Sequence, residues 1–343
     1  MAAAAPRVLF RPDGGARAGL GHVGRCLSLA AAVRAAGGRP WFVTEADALG
    51  RVRAAGFDGA VAEPAPGDPL GVLGARAEAV VVDSYRLTPP YLERLYAGTA
   101  RLALVDDLGE LYAPADLVVN GAAHAATLGY DHAAAGALLL GPRYMLLRPE
   151  YAGAPARTAP AHPRQVLVAM GGGDPLGIMA GVLEEVRAAL GPGPALHAVV
   201  GPYFGPEWAA EDAAARWAAK GVHLHHAPPD LRPHIARADL AVTAAGITVY
   251  ELAACGVPTV AFSIAPNQRP QLEVLAGEGA LASAGDASSP GVPRALRTAL
   301  LRLAPAEARS ALGRAAHAVV DGGGASRVAA CLLALCAAPR PLA

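Results

Sequence analysis

The sequence predicts an α/β protein made of two domains, each built on a parallel sheet. Short apolar runs typical of strands alternate with longer stretches rich in Ala, Leu and Arg. The alternation stops in a Pro- and Ala-rich segment around residues 150–165 and then restarts. Since the 343 residues are long for one compact domain, we expect a first domain over 1–150 and a second over 164–343, with a cleft between them.

The predicted strands divide evenly between the two halves of the chain. In the first half they begin at residues 7 (RVLFR), 39 (RPWFVT), 79 (AVVVD), 101 (RLALVDD) and 116 (DLVVN). In the second half they begin at residues 165 (QVLVAM), 195 (ALHAVVG), 221 (GVHLHHA), 238 (ADLAVTA) and 258 (PTVAFSI). Ligands of such sheets bind beyond the carboxyl ends of the strands. The last segment, RVAACLLALCAAP from residue 327, is predicted to be an amphipathic helix that packs back across the domains.

Composition narrows the class of protein. Hydrophobic residues make up 53% of the chain, charged residues 17%, and the formal net charge is zero. A neutral chain has no bulk attraction to nucleic acid or to an anionic membrane, so we expect neither as a partner. The N-terminal MAAAAPRVLF lacks the features of a signal peptide, and runs such as ALLLGPRYMLL are too short and broken to span a bilayer. We therefore expect a cytoplasmic protein, of an oligomeric state that the sequence leaves open.

Cysteine and histidine usage does not favour a metal. The four cysteines show no C-x-x-C spacing, which is typical of reduced thiols rather than of zinc or disulfides: Cys26, Cys255, Cys331 and Cys336. On a strand, His223 and His225 would share one face and His226 would lie on the other. Because no carboxylate or cysteine lies beside these histidines, we expect no metal there.

Two glycine turns in the second half each follow a predicted strand and precede a predicted helix. The first is residues 171–173, followed by Asp174 and Pro175, and the second is residues 245–248, with Glu251 one turn into its helix. Glycine lets backbone N–H groups approach an anion, and a helix start adds about half a positive charge. Either turn alone is equally well explained as an ordinary connection. Together they predict a diphosphate site, with Glu251 accepting hydrogen bonds from a ribose.

Other polar residues also follow predicted strands. Asn267 and Gln268 in the segment APNQRPQ suit a sugar or a phosphate, although a turn stabilised by asparagine explains them as well. Asp83 and Asp106 in the first half end strands, as helix-capping acids often do. Tyr85 suits the wall of a sugar pocket or an ordinary half-buried position.

The segment GLGHVGRC contains a G-x-G-x-x-G pattern formed by Gly19, Gly21 and Gly24. This pattern is typical of NAD-binding turns, in which the first strand leads directly into the glycines. Here eight residues, RPDGGARA, separate the strand from the glycines, so an NAD oxidoreductase is the last of the hypotheses. His22 lies at the predicted helix start, where it suits a general base, and a merely solvated histidine is the alternative. Arg25 shares its face and is predicted to orient an aspartate, with Asp13 the nearest candidate.

The chain resembles the UDP-sugar hydrolases of pseudaminic acid biosynthesis. The segment FRPDGGARAGLGHVGRCLSLA is similar to their R-x-D…G-x-G-H-x-x-R-C-L-x-L-A signature. Further similar segments follow in order over nearly the whole chain: VVDSY, VDD, DLVVN, GPRYMLLRPEY, MGGGDP, AAGITVYELAACGVPTVAFSIAPNQ and VDGGGASRV. Gly24 departs from the family, whose members often carry a larger residue there. The resemblance implies the GT-B fold, in which two Rossmann-like domains face a cleft and the second holds UDP.

The resemblance also implies roles for individual residues. His22 would activate water, and Glu251 would bind the uridine ribose. The residues implied to cradle the diphosphate are Gly172, Gly173, Gly246, Ile247 and Thr248. The residues implied to face the sugar or its linkage are Asp13, Gly21, Tyr85, Asn267 and Gln268.

The implied reaction uses no metal and no other cofactor. Water directed by His22 would displace UDP from a UDP-2,4-diacetamido-2,4,6-trideoxyhexose with inversion at the anomeric carbon. The first alternative is a GT-B glycosyltransferase that moves the sugar of a UDP-sugar donor to an alcohol. The second alternative is a sugar-nucleotide-binding protein without catalysis. The sequence leaves open which sugar is attached to UDP.

Overall fold

A computed structural model describes residues 4–14, 21–61, 76–109, 113–130, 135–155, 157–210 and 212–338. The chain divides into two compact units. The first unit is Met1–Glu150 together with Gly322–Ala343, and the second unit is Tyr151–Asp321. The second unit thus differs from the expected second domain, residues 164–343, at both ends. The C-terminal helix belongs to the first unit, and the second unit begins at residue 151.

Each unit is built on one parallel sheet. The strands of the first unit are β1 (Arg7–Pro12), β2 (Arg39–Thr44), β3 (Gly59–Val61), β4 (Ala79–Asp83), β5 (Leu102–Val105), β6 (Leu117–Asn120) and β7 (Leu138–Leu140). Those of the second unit are β8 (Gln165–Ala169), β9 (Ala195–Val200), β10 (Val222–His226), β11 (Leu240–Ala244), β12 (Thr259–Ser263) and β13 (Ala282–Asp286). All ten expected runs form strands, while β3, β7 and β13 come in addition.

The described helices connect these strands. They are α1 (Gly21–Ala35), α2 (Ala46–Ala54), α3 (Pro89–Gly98), α4 (Met179–Leu190), α5 (Ala213–Ala218), α6 (Arg232–Arg237), α7 (Thr248–Ala254), α8 (Arg269–Gly277), α9 (Val292–Arg302), α10 (Ala306–Val319) and α11 (Gly324–Ala337). Short 3₁₀ turns lie at Ala125–Thr127, Pro142–Tyr144, Pro149–Tyr151, Pro206–Trp208 and Pro266–Gln268.

The strand order of each sheet reverses at one point. The first sheet runs β3-β2-β1-β4-β5-β6-β7, and the second runs β10-β9-β8-β11-β12-β13. The chain therefore winds outwards in opposite directions from β1 and β4, and again from β8 and β11. Connections that leave such neighbouring strands in opposite directions open a crevice at the carboxyl ends. The topology thus places a candidate ligand site after β1 and β4, and another after β8 and β11.

The C-terminal helix α11 completes the core of the first unit. Its residues Val328 and Leu332 are fully buried in the same hydrophobic cluster as Val8 and Phe10 of β1. Arg101 holds the end of α11, because its guanidinium donates to the carbonyl oxygens of Leu335 and Ala338 at 2.9 and 2.6 Å. A cation near the C-terminal end of a helix also interacts favourably with the helix dipole.

The stretch Ala306–Ala337 is long and apolar enough, by length and composition alone, to cross a membrane. In the structure it consists of two helices, α10 and α11, separated by residues 320–323. Apolar residues of α11 are buried in the core of the first unit. This burial accounts for the apolar composition of α11.

A cluster of four histidines lies near the edge strand β10 of the second sheet. His197 of β9 and His225 of β10 are joined by a 3.0 Å contact between ring nitrogens, and Gln165 lies 2.5 Å from the other nitrogen of His197. The ring of His223 stacks on His197, and the ring of His234 lies 4.3 Å from that of His225. Within the described residues, no group of three or more His, Cys, Asp or Glu side chains has the arrangement of a metal site.

Replacing Leu332 with alanine should destabilise the first unit. The substitution opens a cavity in a close-packed core, which typically costs about 2–5 kcal/mol. We expect amide hydrogen exchange to accelerate in α1 and α11, while the exchange of β8 to β12 stays unchanged. The matched control is Cys331→Ala, one residue earlier on an exposed position of the same helix. Equal effects of the two substitutions would show that α11 does not stabilise the core as described.

The histidine cluster should make the second unit sensitive to acid. Burial, together with the nearby His234 and His197, lowers the pKa of His225 to about 4, and burial also lowers the pKa of His197. A histidine with a lowered pKa binds fewer protons in the folded state than in the unfolded state. The free energy of unfolding should therefore fall as the pH drops from about 6.5 towards 4.

Urea unfolding followed at pH 7 and pH 5 checks this expectation. The variant His225→Asn should lose less stability between the two pH values than the wild type does. The control is His162→Asn, which removes an exposed histidine outside the cluster. An acid sensitivity that is unchanged in His225→Asn would contradict the assignment.

Candidate functional site

Polar side chains gather at the carboxyl ends of β1, β4 and β5, which are neighbours in the first sheet. Asp83 is the last residue of β4, Asp13 follows β1, and Asp107 follows β5. His22 and Arg25 are the second and the fifth residue of α1. Residues three apart on a helix share a face, so His22 and Arg25 point towards the same partners.

A hydrogen bond between His22 and Asp83 lies at the centre of this group. Nδ1 of His22 lies 2.5 Å from Oδ1 of Asp83, and both side chains are almost completely buried. A carboxylate only accepts hydrogen bonds, so Nδ1 carries a proton and donates a hydrogen bond to Asp83. In the neutral imidazole this contact places the proton on Nδ1 and makes Nε2 the nitrogen without a proton, and Nε2 makes no hydrogen bond within the described part of the chain. A histidine held in this way has the arrangement of a general base.

Arg25 connects Asp83 to a second aspartate. Its Nε and Nη2 donate to the two oxygens of Asp83 at 3.0 and 2.8 Å, and its Nη1 donates to Asp107. Burial alone would lower the pKa of Arg25, but Asp83 and Asp107 raise it well above its usual value. Burial would likewise raise the pKa of Asp107, but Arg25 lowers it. The guanidinium of Arg25 and the carboxylate of Asp107 therefore remain charged.

Tyr85 closes the group on the exposed side. Its hydroxyl donates to Asp107 at 2.5 Å, and the edge of its ring meets the ring of His22, with 4.4 Å between the centroids. The side chain is 55% exposed. Burial and the charge of Asp107 raise the pKa of Tyr85 well above its usual value, so the hydroxyl stays protonated. Tyr85 is therefore a hydrogen-bond donor at the mouth of this group.

Asp13 has a different environment from the one expected. It is 1% exposed, and it accepts hydrogen bonds from the hydroxyl of Ser84 at 2.7 Å and from the backbone N–H of Tyr85 at 2.9 Å. Its ion pair is with Arg86, not with Arg25. The expected pairing of Arg25 with Asp13 is thus wrong, because β4 and β5 bring Asp83 and Asp107 closer to α1. Asp13 holds the loop after β4 in place.

The glycines of the GLGHVGRC segment are not tightly packed. Gly21 is the first residue of α1, and a Cβ atom added at Gly21 or Gly24 would meet no atom within 4 Å. Gly19 lies outside the described residues, as does most of the RPDGGARA segment. The open space at Gly24 fits the larger residue that the resembled family often has there.

The crevice of the second sheet contains a cavity of about 470 Å³. Among its lining residues are six of the expected nucleotide-site residues: Gly172, Gly173, Gly246, Ile247, Thr248 and Gln268. Tyr203 also lines it, and the backbone N–H of Tyr203 donates to the carbonyl of Gly172 at 2.9 Å. A Cβ atom at position 173 would lie only 3.2 Å from the carbonyl oxygen of Tyr203, which explains the glycine there.

The two expected helix starts differ in what their N–H groups bind. The carboxylate of Asp174 accepts hydrogen bonds from the N–H groups of Ile178 and Met179 at 3.0 and 2.8 Å, which caps the start of α4. That helix start is therefore occupied by a carboxylate of the chain itself, and it begins well after the glycines. The start of α7 has no side-chain cap, and its residues Ile247 and Thr248 line the cavity. Of these two helix starts, that of α7 lines the cavity without a side-chain cap, and that of α4 is capped by Asp174.

Four polar residues around α7 complete the description. Gln268 accepts a hydrogen bond from the N–H of Ile264 at 3.0 Å and lines the cavity. Glu251 is half-buried and Asn267 is exposed, and neither is among the residues that line the cavity. Gln271, which the sequence did not single out, donates to the carbonyl of Ala245 and accepts from the hydroxyl of Tyr250. It thereby fixes the turn that precedes α7.

Several solved structures are similar to the chain over nearly its full length. MurG of Acinetobacter baumannii is 12% identical with a TM-score of 0.66, and the similarity covers 96% of this chain and 99% of MurG. The glycotransferase of kitacinnamycin is 19% identical with a TM-score of 0.64, over 96% and 99% of the two chains. Anabaena Alr3699/HepE, solved in complex with UDP-glucose, is 14% identical with a TM-score of 0.60, also over 96% and 99%.

These similarities establish the fold. The chain has the GT-B fold, with two Rossmann-like α/β domains, and this confirms the predicted fold class. No protein-family model matches the sequence, and no curated protein matches it significantly.

Proposed function

We propose that this chain is a nucleotide-sugar enzyme that displaces a nucleoside diphosphate, most specifically UDP, from an anomeric carbon. The observation that carries the proposal is the buried 2.5 Å contact between His22 Nδ1 and Asp83 Oδ1. It orients an imidazole with one unprotonated nitrogen at the carboxyl ends of β1 and β4, where ligands of such sheets bind. His22 is the proposed general base.

The second unit supplies the proposed diphosphate site. Its cavity is within the usual size of small-molecule sites, about 300–1,000 Å³, and the uncapped start of α7 lines it. The solved structures of Anabaena Alr3699/HepE, which have the same fold, contain UDP-glucose or UDP. We infer that the N–H groups at Ile247 and Thr248 stabilise the charge that develops on the leaving diphosphate.

The proposed mechanism is a single displacement. A hydroxyl oxygen attacks the anomeric carbon, Nε2 of His22 takes its proton, and the bond from that carbon to the diphosphate oxygen breaks. The electron pair of that bond leaves with the diphosphate. Asp83 keeps the proton on Nδ1 and stabilises the imidazolium that forms. Attack opposite the leaving group inverts the anomeric configuration.

We place glycosyl transfer to an alcohol first among the reactions of this class. The solved structures with the same fold include the glycotransferase of kitacinnamycin and the calicheamicin glycosyltransferase CalG4, and each matches this chain over nearly its full length. The base, the leaving group and the inversion would be the same as in hydrolysis. Only the hydroxyl that reaches Nε2 of His22 differs.

Hydrolysis is the second candidate, with water as the nucleophile. It is supported by the resemblance to UDP-sugar hydrolases of pseudaminic acid biosynthesis, and by the surroundings of the base. His22 is only 3% exposed, and the Tyr85 ring packs against it. Water reaches such a nitrogen more readily than a bulky alcohol does.

The role of His22 is tested by the release of UDP. Purified protein is incubated with a panel of UDP-sugars that includes a 2,4-diacetamido-trideoxyhexose, with and without alcohol acceptors. Loss of a general base typically costs about 10²–10⁴-fold in rate. We therefore expect His22→Ala to lose at least 100-fold in kcat, and Asp83→Asn to lose activity as well.

Binding of UDP by calorimetry is the control, and His22→Ala should retain it. Full activity of His22→Ala would contradict the proposal. Release of UDP by wild type without an acceptor would favour hydrolysis, and release only with an acceptor would favour glycosyl transfer. Loss of UDP binding by His22→Ala would show that the histidine is a ligand contact rather than the base.

The nucleotide site is tested by filling the cavity at Gly246. A Cβ atom there meets only Gln268 Nε2, at 3.8 Å, so the fold can accommodate a side chain that projects towards the ligand. We expect Gly246→Leu to weaken UDP binding at least tenfold, which is about 1.4 kcal/mol. The matched control is Gly193→Leu, since a Cβ atom at Gly193 meets no atom within 4 Å and Gly193 does not line the cavity. Equal affinities of both variants would place the nucleotide elsewhere.

A further inference from the structure

The proposed base, His22, and the four residues around it form a closed ring of contacts. His22 donates to Asp83, Arg25 donates to Asp83 and to Asp107, and Tyr85 donates to Asp107. The ring of Tyr85 then meets the ring of His22. Each of these hydrogen bonds joins a donor to a carboxylate, and Arg25 Nη2 also lies 3.0 Å from His22 Nδ1. The proposed general base is therefore connected to Asp107 by two routes.

The charges in the ring do not cancel while His22 is neutral. Asp107 carries a negative charge and Arg25 a positive one, because the pKa of Asp107 is lowered and that of Arg25 is raised. Asp83 is counted as a second carboxylate, because both of its oxygens accept hydrogen bonds from His22 and Arg25. The net charge is therefore −1, and a proton on His22 brings it to zero. The ring is thus arranged to receive the one proton that a general base takes up.

The other charged groups near His22 are balanced among themselves. Asp13 and Glu45 are paired with Arg86, and Arg11 lies 3.9 Å from Glu45. Burial lowers the pKa of His124, although the nearby charge of Asp107 acts in the opposite direction. Burial raises the pKa of Cys26, which follows His22 by four residues in α1. His124 and Cys26 are therefore neutral near pH 7, and the uncompensated negative charge belongs to the ring of five contacting residues.

We propose that Arg25 and Asp107 are positioning residues that set the proton affinity of His22, acting in opposite directions. Asp107 favours the protonated imidazole, because its charge is the one that the ring leaves uncompensated. Arg25 opposes the protonated imidazole by its charge, while its bidentate contact keeps Asp83 facing Nδ1. The proposal rests on the proposed function only in naming His22 as the base.

Titration of His22 by NMR tests the charge effects without any substrate. The ring signals of His22 are assigned as those missing from His22→Gln. We expect the midpoint to move to lower pH in Asp107→Asn and to higher pH in Arg25→Gln, by about half a pH unit or more in each case. The control Asp47→Asn removes the same charge from an exposed position of α2 and should leave the midpoint in place.

Arg25→Lys separates charge from geometry. Lysine keeps the positive charge but lacks the guanidinium fork, the pair of nitrogens Nε and Nη2 that donates to both oxygens of Asp83. We expect it to leave the midpoint within about 0.3 pH units of wild type and to lower kcat at least tenfold, with KM unchanged. Circular dichroism confirms that each variant is folded. In Asp107→Asn, the acidic limb of the kcat profile should move in the same direction as the titration.

Opposite shifts in the two charge variants cannot come from general damage to the site. Shifts of the same sign, or none, would overturn the proposal even if His22→Ala is inactive. If the opposite shifts appear while His22→Ala remains active, the proposed function fails and the charge effects stand. An Arg25→Lys variant with unchanged kcat would overturn the positioning role of the fork.

Discussion

The carboxylate of Asp83 is the group on which the arrangement of the first unit depends. It has no exposed surface, and a buried charge that loses its partner typically costs about 3–5 kcal/mol. Two hydrogen-bond donors stabilise this buried charge, the imidazole of His22 and the guanidinium of Arg25. Both lie within the first five residues of α1, so the end of β4 fixes the start of that helix. A single buried charge thus determines where the proposed base lies and which of its nitrogens is protonated.

The second unit has the same kind of reversal in its strand order, but different residues line its crevice. Its sheet also reverses between two neighbouring strands, β8 and β11, and its cavity lies at the carboxyl ends of both. The cavity is lined by glycines and by the start of α7, not by a buried ion pair. Backbone N–H groups bind an anion without adding a fixed charge, which suits the transient charge of a leaving diphosphate. The two crevices therefore offer different kinds of group: a base in one, and in the other glycines, the start of α7 and the carboxylate of Asp174 that caps α4.

The sequence predicted the strands well and the contacts between them poorly, for one physical reason. Buried parallel strands are continuous apolar runs, so β4 and β11 are visible locally, whereas a strand as short as β3 is not. The partner of Arg25 depends on which strands are neighbours, and strand order is not a local property. Asp83 was one of several acids after strands, and only the pairing of β4 with β1 brings it to His22. The capping of α4 by Asp174 is likewise a three-dimensional contact, which the order of residues after the glycines does not show.

The distinction between the two candidate reactions cannot lie in the fold or in the base. A GT-B fold hosts any chemistry that its crevices support, and His22 would remove a proton from water or from an alcohol in the same way. The difference must lie in what can approach Nε2, and the aromatic side chain in T-shaped contact with the imidazole is Tyr85. Its hydroxyl is held by Asp107, the same carboxylate that holds Arg25. The group that restricts access to the base is therefore tied to the group that sets its charge, so a substrate that displaces Tyr85 would alter both.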